Sequence, residues 1–173
     1  LTRIRRCIPP IEWENYGLVV LYTHVQCAQE GVVEALEEYV RSGGSVLAIH
    51  SATASLKQNR LFGSILGATF SSHGAYDEVR CYPADDWTRK TVGDTFAVKE
   101  ELYLHTPAAD RTVHLTAENG EPVAWSRNHG KGRVYYLVFG HRPVVFAHPA
   151  VQGLVRAAVR WLMRADGLGP QDP

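Results

Sequence analysis

Histidines stand directly after several segments that the sequence predicts to be extended. The chain contains eight histidines. An unperturbed imidazole has a pKa near 6.5, so it can exchange protons near neutral pH, and its neutral form also binds transition metals. A residue that follows a strand lies at the sheet edge where open α/β sheets bind their ligands. Four histidines have this placement: His24, His50, His73 and His141.

The clearest of these positions is His50. Residues 46–49 form a short unbroken apolar run, which is typical of a strand buried on both faces of a parallel sheet. The sequence then changes at once to the small polar pair His50-Ser51, at a tight turn. Because the carboxyl ends of parallel strands share one edge, we expect the other strand-end histidines to converge on the same cleft. A fifth histidine, His105, closes another predicted strand.

Two kinds of chemistry fit a cluster of imidazoles, and the sequence leaves both open. One is proton transfer or substrate contact near neutral pH. The other is ligation of a divalent metal such as zinc by His50, His73 and His141, with a carboxylate such as Glu101 completing the set. No H-x-x-x-H or H-E-x-x-H spacing occurs, so the metal signal is indirect. Coincidental placement of structural histidines is the third reading.

Composition predicts one globular domain over residues 1–173. The chain carries 18 basic and 18 acidic side chains, and this zero formal charge gives no reason to expect a nucleic acid or an anionic membrane as partner. No apolar run approaches the ~20 residues of a membrane span. The three cysteines, Cys7, Cys27 and Cys81, show no C-x-x-C spacing. They favour reduced thiols and a cytoplasmic location.

Hydrophobic periodicity predicts strands that alternate with helices. Strand patterns cover residues 16–23, 46–49, 68–72, 76–83, 99–105, 112–116, 122–127 and 133–139, with a short edge strand over residues 2–8. Helical patterns cover residues 30–41 and 56–66 and a last segment that starts at His148. Residues 85–94 are predicted as a loop and residues 167–173 as a frayed tail. The glycine-containing turn at residues 128–132 predicts an antiparallel hairpin at the far side of the sheet.

Four segments, taken in order, also carry a family resemblance. They are G-G-S-V-L-A-I-H-S-A-T from residue 43, L-G-A-T-F-S-S-H from residue 66, E-E-L-Y from residue 100 and P-V-A-W-S-R-N-H-G-K-G-R-V-Y-Y-L-V-F-G-H from residue 122. Their order and spacing resemble the ThuA-like, or trehalose-utilisation, family over residues 16–165. The resemblance implies a flavodoxin-like three-layer α/β sandwich with a mainly parallel sheet, related to class I glutamine amidotransferases. It also implies a role in sugar metabolism.

The same resemblance argues against glutamine hydrolysis. Amidotransferases place a nucleophilic cysteine at the strand-to-helix turn, where this chain has His50, and imidazole does not supply a thiolate. Their late histidine motif is matched in part by Phe139-Gly140-His141-Arg142-Pro143. The resemblance implies a further strand and helix ahead of the strand predicted at residues 16–23, and no segment before it is predicted to supply them. The missing elements would expose a sheet edge, and a homo-oligomer is therefore expected.

With the resemblance, the residues predict an enzyme for trehalose-type or 3-keto sugars that acts as a hydrolase, lyase or isomerase. The predicted catalytic residues are His50, His73, His141 and Glu101. The predicted substrate contacts are His24, Ser51, Tyr103 and Arg142, and Trp125 forms either an aromatic wall or part of the core. The alternative is a non-catalytic carbohydrate-binding or regulatory module with a degenerate amidotransferase site.

Overall fold

The computed structural model describes residues 7–165, which form seven strands and four α-helices. The strands are β1 (Val19–Leu21), β2 (Ser45–Ile49), β3 (Ala68–Pro83), β4 (Phe96–Pro107), β5 (Thr112–Ala117), β6 (Pro122–His129) and β7 (Gly132–Leu137). The helices are α1 (Val32–Arg41), α2 (Arg60–Leu66), α3 (Asp86–Val92) and α4 (Pro149–Leu162). The predicted tail at residues 167–173, and all but the end of the edge strand predicted at residues 2–8, lie outside the described residues.

The seven strands form one mixed sheet in the order β1-β2-β7-β6-β5-β3-β4. Only the pairs β1/β2 and β2/β7 are parallel among the described strands, and the other four pairings are antiparallel. The α/β class is therefore confirmed, but the prediction of a mainly parallel sheet was wrong. Strand β3 pairs antiparallel with both β4 and β5, and β5, β6 and β7 follow one another as antiparallel neighbours. The β6–β7 hairpin consequently lies in the middle of the sheet, not at its far side.

Strands β2 and β7 form the centre of the hydrophobic core. All five residues of β2 are buried, as an apolar run of this kind predicts. Their parallel register pairs Val46 with Val134 and Ile49 with Leu137. Helix α1 contacts β7, and helix α4 contacts both strands, so their apolar faces cover this central pair. Because the two strands run in the same direction and in register, their carboxyl ends lie side by side.

Two local predictions need correction. Residues 85–94, predicted as a loop, contain helix α3, whose first turn is capped by Asp85 accepting a hydrogen bond from the backbone N–H of Thr88 at 2.7 Å. Residues 68–72 and 76–83, predicted as separate strands, belong to the single strand β3. Between the two segments the register with β4 shifts at a bulge, and the strand continues through it.

Cys7 and Cys27 form a disulfide, with Cα atoms 4.4 Å apart. The prediction of three reduced thiols was wrong for this pair, and Cys81 is the free cysteine, buried in the sheet. The pairing arises because the chain beside Ile8 runs parallel to the segment at Ala28. Local spacing does not show this contact. Among residues 7–165, no helix combines the length and apolar character that crossing a bilayer requires.

We expect Gly132→Ala to destabilise the fold by roughly 2–4 kcal/mol. A Cβ at this position would lie 1.9 Å from the carbonyl oxygen of Val40 and 2.4 Å from that of Gly44, so the hairpin would have to move away from the end of α1. Gly74→Ala is the matched control, because a Cβ there meets nothing within 4 Å. Urea denaturation of the two variants tests the prediction, and equal stabilities would contradict it.

Candidate functional site

Two turns meet at the carboxyl edge of the parallel strands. His50 follows β2 directly, and His141 comes shortly after β7. Because Ile49 and Leu137 are paired at the ends of these strands, the two turns leave the sheet next to each other. The imidazole centroids of His50 and His141 lie 5.7 Å apart. The parallel part of the sheet thus brings together two predicted site residues that are far apart in sequence.

His50 adopts an unusual backbone conformation that hydrogen bonds maintain. Its φ of 47° lies in the left-handed region, which costs a non-glycine residue roughly 1–2 kcal/mol. The His50 carbonyl accepts hydrogen bonds from the Tyr136 hydroxyl at 3.1 Å and the Thr53 hydroxyl at 3.3 Å. Its Nδ1 lies 2.7 Å from the carbonyl oxygen of Val138. Since a carbonyl only accepts, Nδ1 carries the proton and the neutral ring presents the lone pair of Nε2.

Gly140 passes so close to His50 that only glycine fits. Its φ is 149°, and a Cβ there would lie 2.9 Å from the Cβ of His50 and 3.0 Å from Cγ2 of Ile49. The hydroxyl of Tyr22 donates a hydrogen bond to the Gly140 carbonyl. The glycine that precedes His141 in the sequence is therefore needed for the two turns to pack.

A fully buried carboxylate, that of Glu100, holds the second turn in place. It accepts hydrogen bonds from the backbone N–H of Gly140 at 2.7 Å, of Glu101 at 2.9 Å and of His141 at 3.2 Å. Burial raises the pKa of Glu100, while these N–H groups and the nearby His141 oppose the increase. Glu100 therefore fixes the backbone of His141 and does not face the solvent.

Glu101 lies at the centre of the histidine cluster. Its Oε2 is 2.9 Å from Nδ1 of His141 and 3.9 Å from Nε2 of His50, and its Oε1 is 3.9 Å from Nδ1 of His73. Exposure of the side chains increases from 5% for His50 and 15% for Glu101 to 35% for His141 and 44% for His73. The site is thus open to solvent on the side of His73 and His141 and closed behind His50.

The antiparallel pair of strands β3 and β4 carries His73 and Glu101 to this position. His73 is paired with Tyr103 and Tyr76 with Glu101, with a shift of register between the two pairs. Such a bulge redirects side chains locally. His73 therefore lies inside the long strand β3. The predicted reason for its placement, the end of a parallel strand, was wrong for His73, although it holds for His50 and His141.

The aromatic ring of Tyr103 forms one wall of the site. Its centroid lies 4.3 Å from the ring of His50 and 5.7 Å from the ring of His73. Burial, together with the charge of Glu101, raises the pKa of Tyr103 to about 12, so its hydroxyl stays protonated at neutral pH. Burial also lowers the pKa of His50, which favours the neutral ring.

The other predicted site residues lie at or beyond the rim. The guanidinium of Arg142 lies 4.3 Å from the ring centroid of Tyr76, and that ring lies 5.3 Å from His141. Ser51 follows His50 on the same turn and is half-buried. His24 is exposed, and none of the contacts described for residues 7–165 joins it to the cluster.

Trp125 is fully buried and donates a hydrogen bond to the carbonyl of Leu66, so it belongs to the core and not to a sugar-binding wall.

Comparison with protein families matches residues 12–162 to the family described as ThuA, trehalose utilisation. The chain belongs to the ThuA family. This match covers most of the chain and includes every member of the histidine cluster. Comparison with curated proteins gives no match.

Solved structures show how widely this fold occurs. A ThuA-like protein from Parabacteroides merdae superimposes with a TM-score of 0.77 at 20% identity, covering 95% of this chain and 75% of the other. A ThuA-like protein from Bacteroides uniformis superimposes with a TM-score of 0.73 at 20% identity, covering 87% of this chain and 71% of the other. Gan42B, a GH42 β-galactosidase from G. stearothermophilus, gives 0.60 at 15% identity, covering 92% of this chain but 23% of the enzyme. These similarities concern the fold.

Glu100 is the main feature of this ThuA site that the sequence prediction missed. A signal for it exists, because Phe96, Val98 and Glu100 form an alternating buried series at the start of β4. A carboxylate at an inward position must find hydrogen-bond donors. Those donors come from the Gly140–His141 turn, and local periodicity does not reveal that distant partner.

A second polar cluster, formed by Asp85, His114 and Ser126, lies away from this site. Nδ1 of His114 is 2.6 Å from the Asp85 carboxylate, and its Nε2 is 2.7 Å from the Ser126 hydroxyl. These residue types also occur in hydrolase triads. However, His114 is fully buried, and Ser126 is 4% exposed within β6. The cluster therefore connects the start of α3 to the sheet and offers no access to a substrate.

His105, the fifth strand-end histidine, lies behind the cluster. Its side chain is fully buried, with Nε2 3.2 Å from the Thr53 hydroxyl and Nδ1 3.3 Å from Glu121. Burial, and then the charge of Arg111, lower the pKa of His105 to about 3. The ring is therefore neutral, and its contact with Glu121 is a hydrogen bond, not an ion pair. Through Thr53, this ring supports the turn at His50.

We expect Glu100→Gln to lower the free energy of unfolding by roughly 1–3 kcal/mol. An amide NH₂ group would replace one oxygen that accepts a backbone N–H, leaving a buried donor facing another donor. Lys99→Gln, at the exposed neighbouring position, is the control and should stay within about 0.5 kcal/mol of wild type. Chemical denaturation compares the two, and a Glu100→Gln protein as stable as Lys99→Gln would refute this role.

Stability should fall on acidification in part because His105 resists protonation. Above pH 6.5 the ring is neutral in both the folded and the unfolded protein and contributes no pH dependence to stability. Below that pH an unfolded histidine binds a proton, but folded His105 does not until about pH 3. In this range the free energy of unfolding falls by up to about 1.4 kcal/mol for each pH unit. Urea unfolding at pH 7 and pH 5 should show a smaller loss for His105→Gln than for wild type, and equal losses would argue against a neutral His105.

Proposed function

We propose that this ThuA family member is an enzyme that acts on trehalose-type or 3-keto sugars, by hydrolysis, elimination or isomerisation. The observation that carries the proposal is the arrangement around Glu101, whose carboxylate has three imidazoles within 3.9 Å. The family description, trehalose utilisation, supports the sugar as substrate class. Paired imidazole and carboxylate groups at an open edge are suited to general acid–base chemistry near neutral pH.

Within this proposal, three residues face the reacting oxygen of the sugar: His50, Glu101 and His141. His73 lies at the open side, and its Nδ1 is bonded to the carbonyl of Gly74 at 2.7 Å. Its Nε2 is then the nitrogen that exchanges protons with substrate or solvent. Tyr103, with its raised pKa, donates a hydrogen bond to a sugar hydroxyl or carbonyl. Arg142 and Ser51 are proposed to bind hydroxyl groups at the rim.

The two adjacent glutamates favour elimination or isomerisation over glycosidase-type hydrolysis. Typical glycosidases use two accessible carboxylates on opposite sides of the scissile bond. Here Glu101 is accessible, whereas Glu100 is buried and occupied by three backbone N–H groups. Proton removal beside a sugar carbonyl needs one base and one acid. Glu101 or His141 supplies the base, and His73 or Tyr103 supplies the acid.

Glutamine hydrolysis is not part of the proposal. The position of an amidotransferase nucleophile is taken by His50. The free thiol in the described residues, Cys81, is buried, and burial raises its pKa to about 12.

Self-association and a cytoplasmic location stay predictions. The exposed edge strand β1, with Val20 about half exposed, supports the first. The second no longer has the support of the cysteines, since Cys7 and Cys27 are joined.

We expect His141→Ala to lower kcat/KM for the sugar substrate by about 10²–10⁴-fold, the range of a lost acid–base group. The substrate is found by screening ordinary and 3-keto disaccharides with purified wild-type protein. His129→Ala is the matched control, because His129 pairs with Glu37 at 3.0 Å and not with the cluster. Full turnover by His141→Ala would contradict the proposal. Sugar binding without turnover by wild type would favour the carbohydrate-binding module instead.

A further inference from the structure

Three potential metal-ligand atoms converge at the centre of the cluster. Nε2 of His50, a carboxylate oxygen of Glu101 and Nδ1 of His141 all lie within 4.8 Å of one another. Oε2 of Glu101 is 3.9 Å from the first nitrogen and 2.9 Å from the second. Zinc takes such ligands at about 2.1 Å, so ligand atoms around a tetrahedral ion lie about 3.4 Å apart. Shifts of about half an ångström would bring both oxygen–nitrogen distances to this spacing.

The surroundings orient two of these ligands as a metal site requires. The Nδ1 proton of His50 is held by the carbonyl of Val138 at 2.7 Å, which leaves Nε2 as the free donor atom. Metal-binding histidines usually donate their second ring nitrogen in this way. The backbone of His141 is fixed by the buried carboxylate of Glu100. The ring of His50 and the backbone of His141 are thus positioned by contacts that do not involve the central carboxylate.

His73 differs from the other two imidazoles. Its Nδ1 lies 3.9 Å from the other oxygen of Glu101, Oε1, and is hydrogen-bonded to the Gly74 carbonyl at 2.7 Å. With 44% of its side chain exposed, His73 lies at the solvent side of the three converging atoms. It therefore lies beside the three converging atoms and is not one of them.

We propose that His50, Glu101 and His141 bind one divalent transition-metal cation, with Zn²⁺ the cation that their two nitrogens and one oxygen fit. Three protein ligands leave a position for water or a sugar oxygen, as in catalytic zinc sites. Bound there, the ion polarises a sugar carbonyl or lowers the pKa of its water. Only this catalytic part rests on the proposed function. Cation binding is a separate property of the same three side chains.

The experiment titrates chelator-treated protein with ZnCl₂ by calorimetry, and with Co²⁺ as a visible absorption probe. Wild type should bind one Zn²⁺ per chain. Glu101→Gln, nearly identical in shape, should lose more than the roughly 10–100-fold in affinity that a residue behind a metal ligand contributes. His73→Ala and His129→Ala are the matched controls and should bind like wild type. Circular dichroism confirms that each variant is folded, and His141→Ala repeats the test at a partly exposed ligand.

Each outcome decides the proposal. It is overturned if folded wild type binds neither Zn²⁺ nor Co²⁺, or if Glu101→Gln binds as tightly as wild type. It is also overturned if His73→Ala loses as much affinity as Glu101→Gln, because the ligand set would then be a different one. Specific Zn²⁺ binding without turnover of any sugar supports the metal site and contradicts the proposed function. If wild type binds neither cation and its turnover survives complete chelation, the metal site is contradicted and the proposed function is supported.

Discussion

The site depends on the close contact between two turns, one after β2 and one after β7. Gly140 passes the Cβ of His50 at a distance that leaves no room for a side chain. The contact exists because the two strands are parallel neighbours in register. His50, in a left-handed conformation, is held by Val138, from the chain that continues β7. Each turn therefore stabilises the conformation of the other.

Glu100 and Glu101 connect this contact to the antiparallel half of the molecule. Both belong to β4, at the edge of the sheet opposite β1. Glu100 binds backbone N–H groups of the Gly140–His141 turn, while Glu101 contacts imidazoles. Adjacent residues of one strand thus have separate tasks, one structural and one at the open site. A charged group as deeply buried as Glu100 is tolerated because several donors satisfy it.

The fold comparisons and the site carry different information. Similarity at 15–20% identity extends to ThuA-like proteins and to a segment of a much larger β-galactosidase. A scaffold shared this broadly does not specify a reaction. The chemistry has to be argued from the residues, and here they are two oriented imidazoles, one accessible carboxylate and a tyrosine that stays protonated. This set supports the acid–base role and the cation site proposed above.

Local sequence determined a large part of this picture. The apolar run before His50 predicted a fully buried central strand, and the motifs around His50, His73, Glu101 and His141 indicated the ThuA family. Parallel strand ends correctly predicted that the turns of His50 and His141 would meet. These conclusions were accessible because periodicity and turn residues act within a few positions along the chain.

Tertiary structure alone decided which other distant segments meet. The antiparallel pairings among β3 to β7 made the sheet mostly antiparallel, and the pairing of β3 with β4 brought His73 close to Glu101. The donors that satisfy Glu100 and the pairing of Cys7 with Cys27 likewise come from residues remote in sequence. Local patterns fix how a segment presents its side chains. Its partner follows from how the whole chain packs its apolar faces and satisfies its buried polar groups.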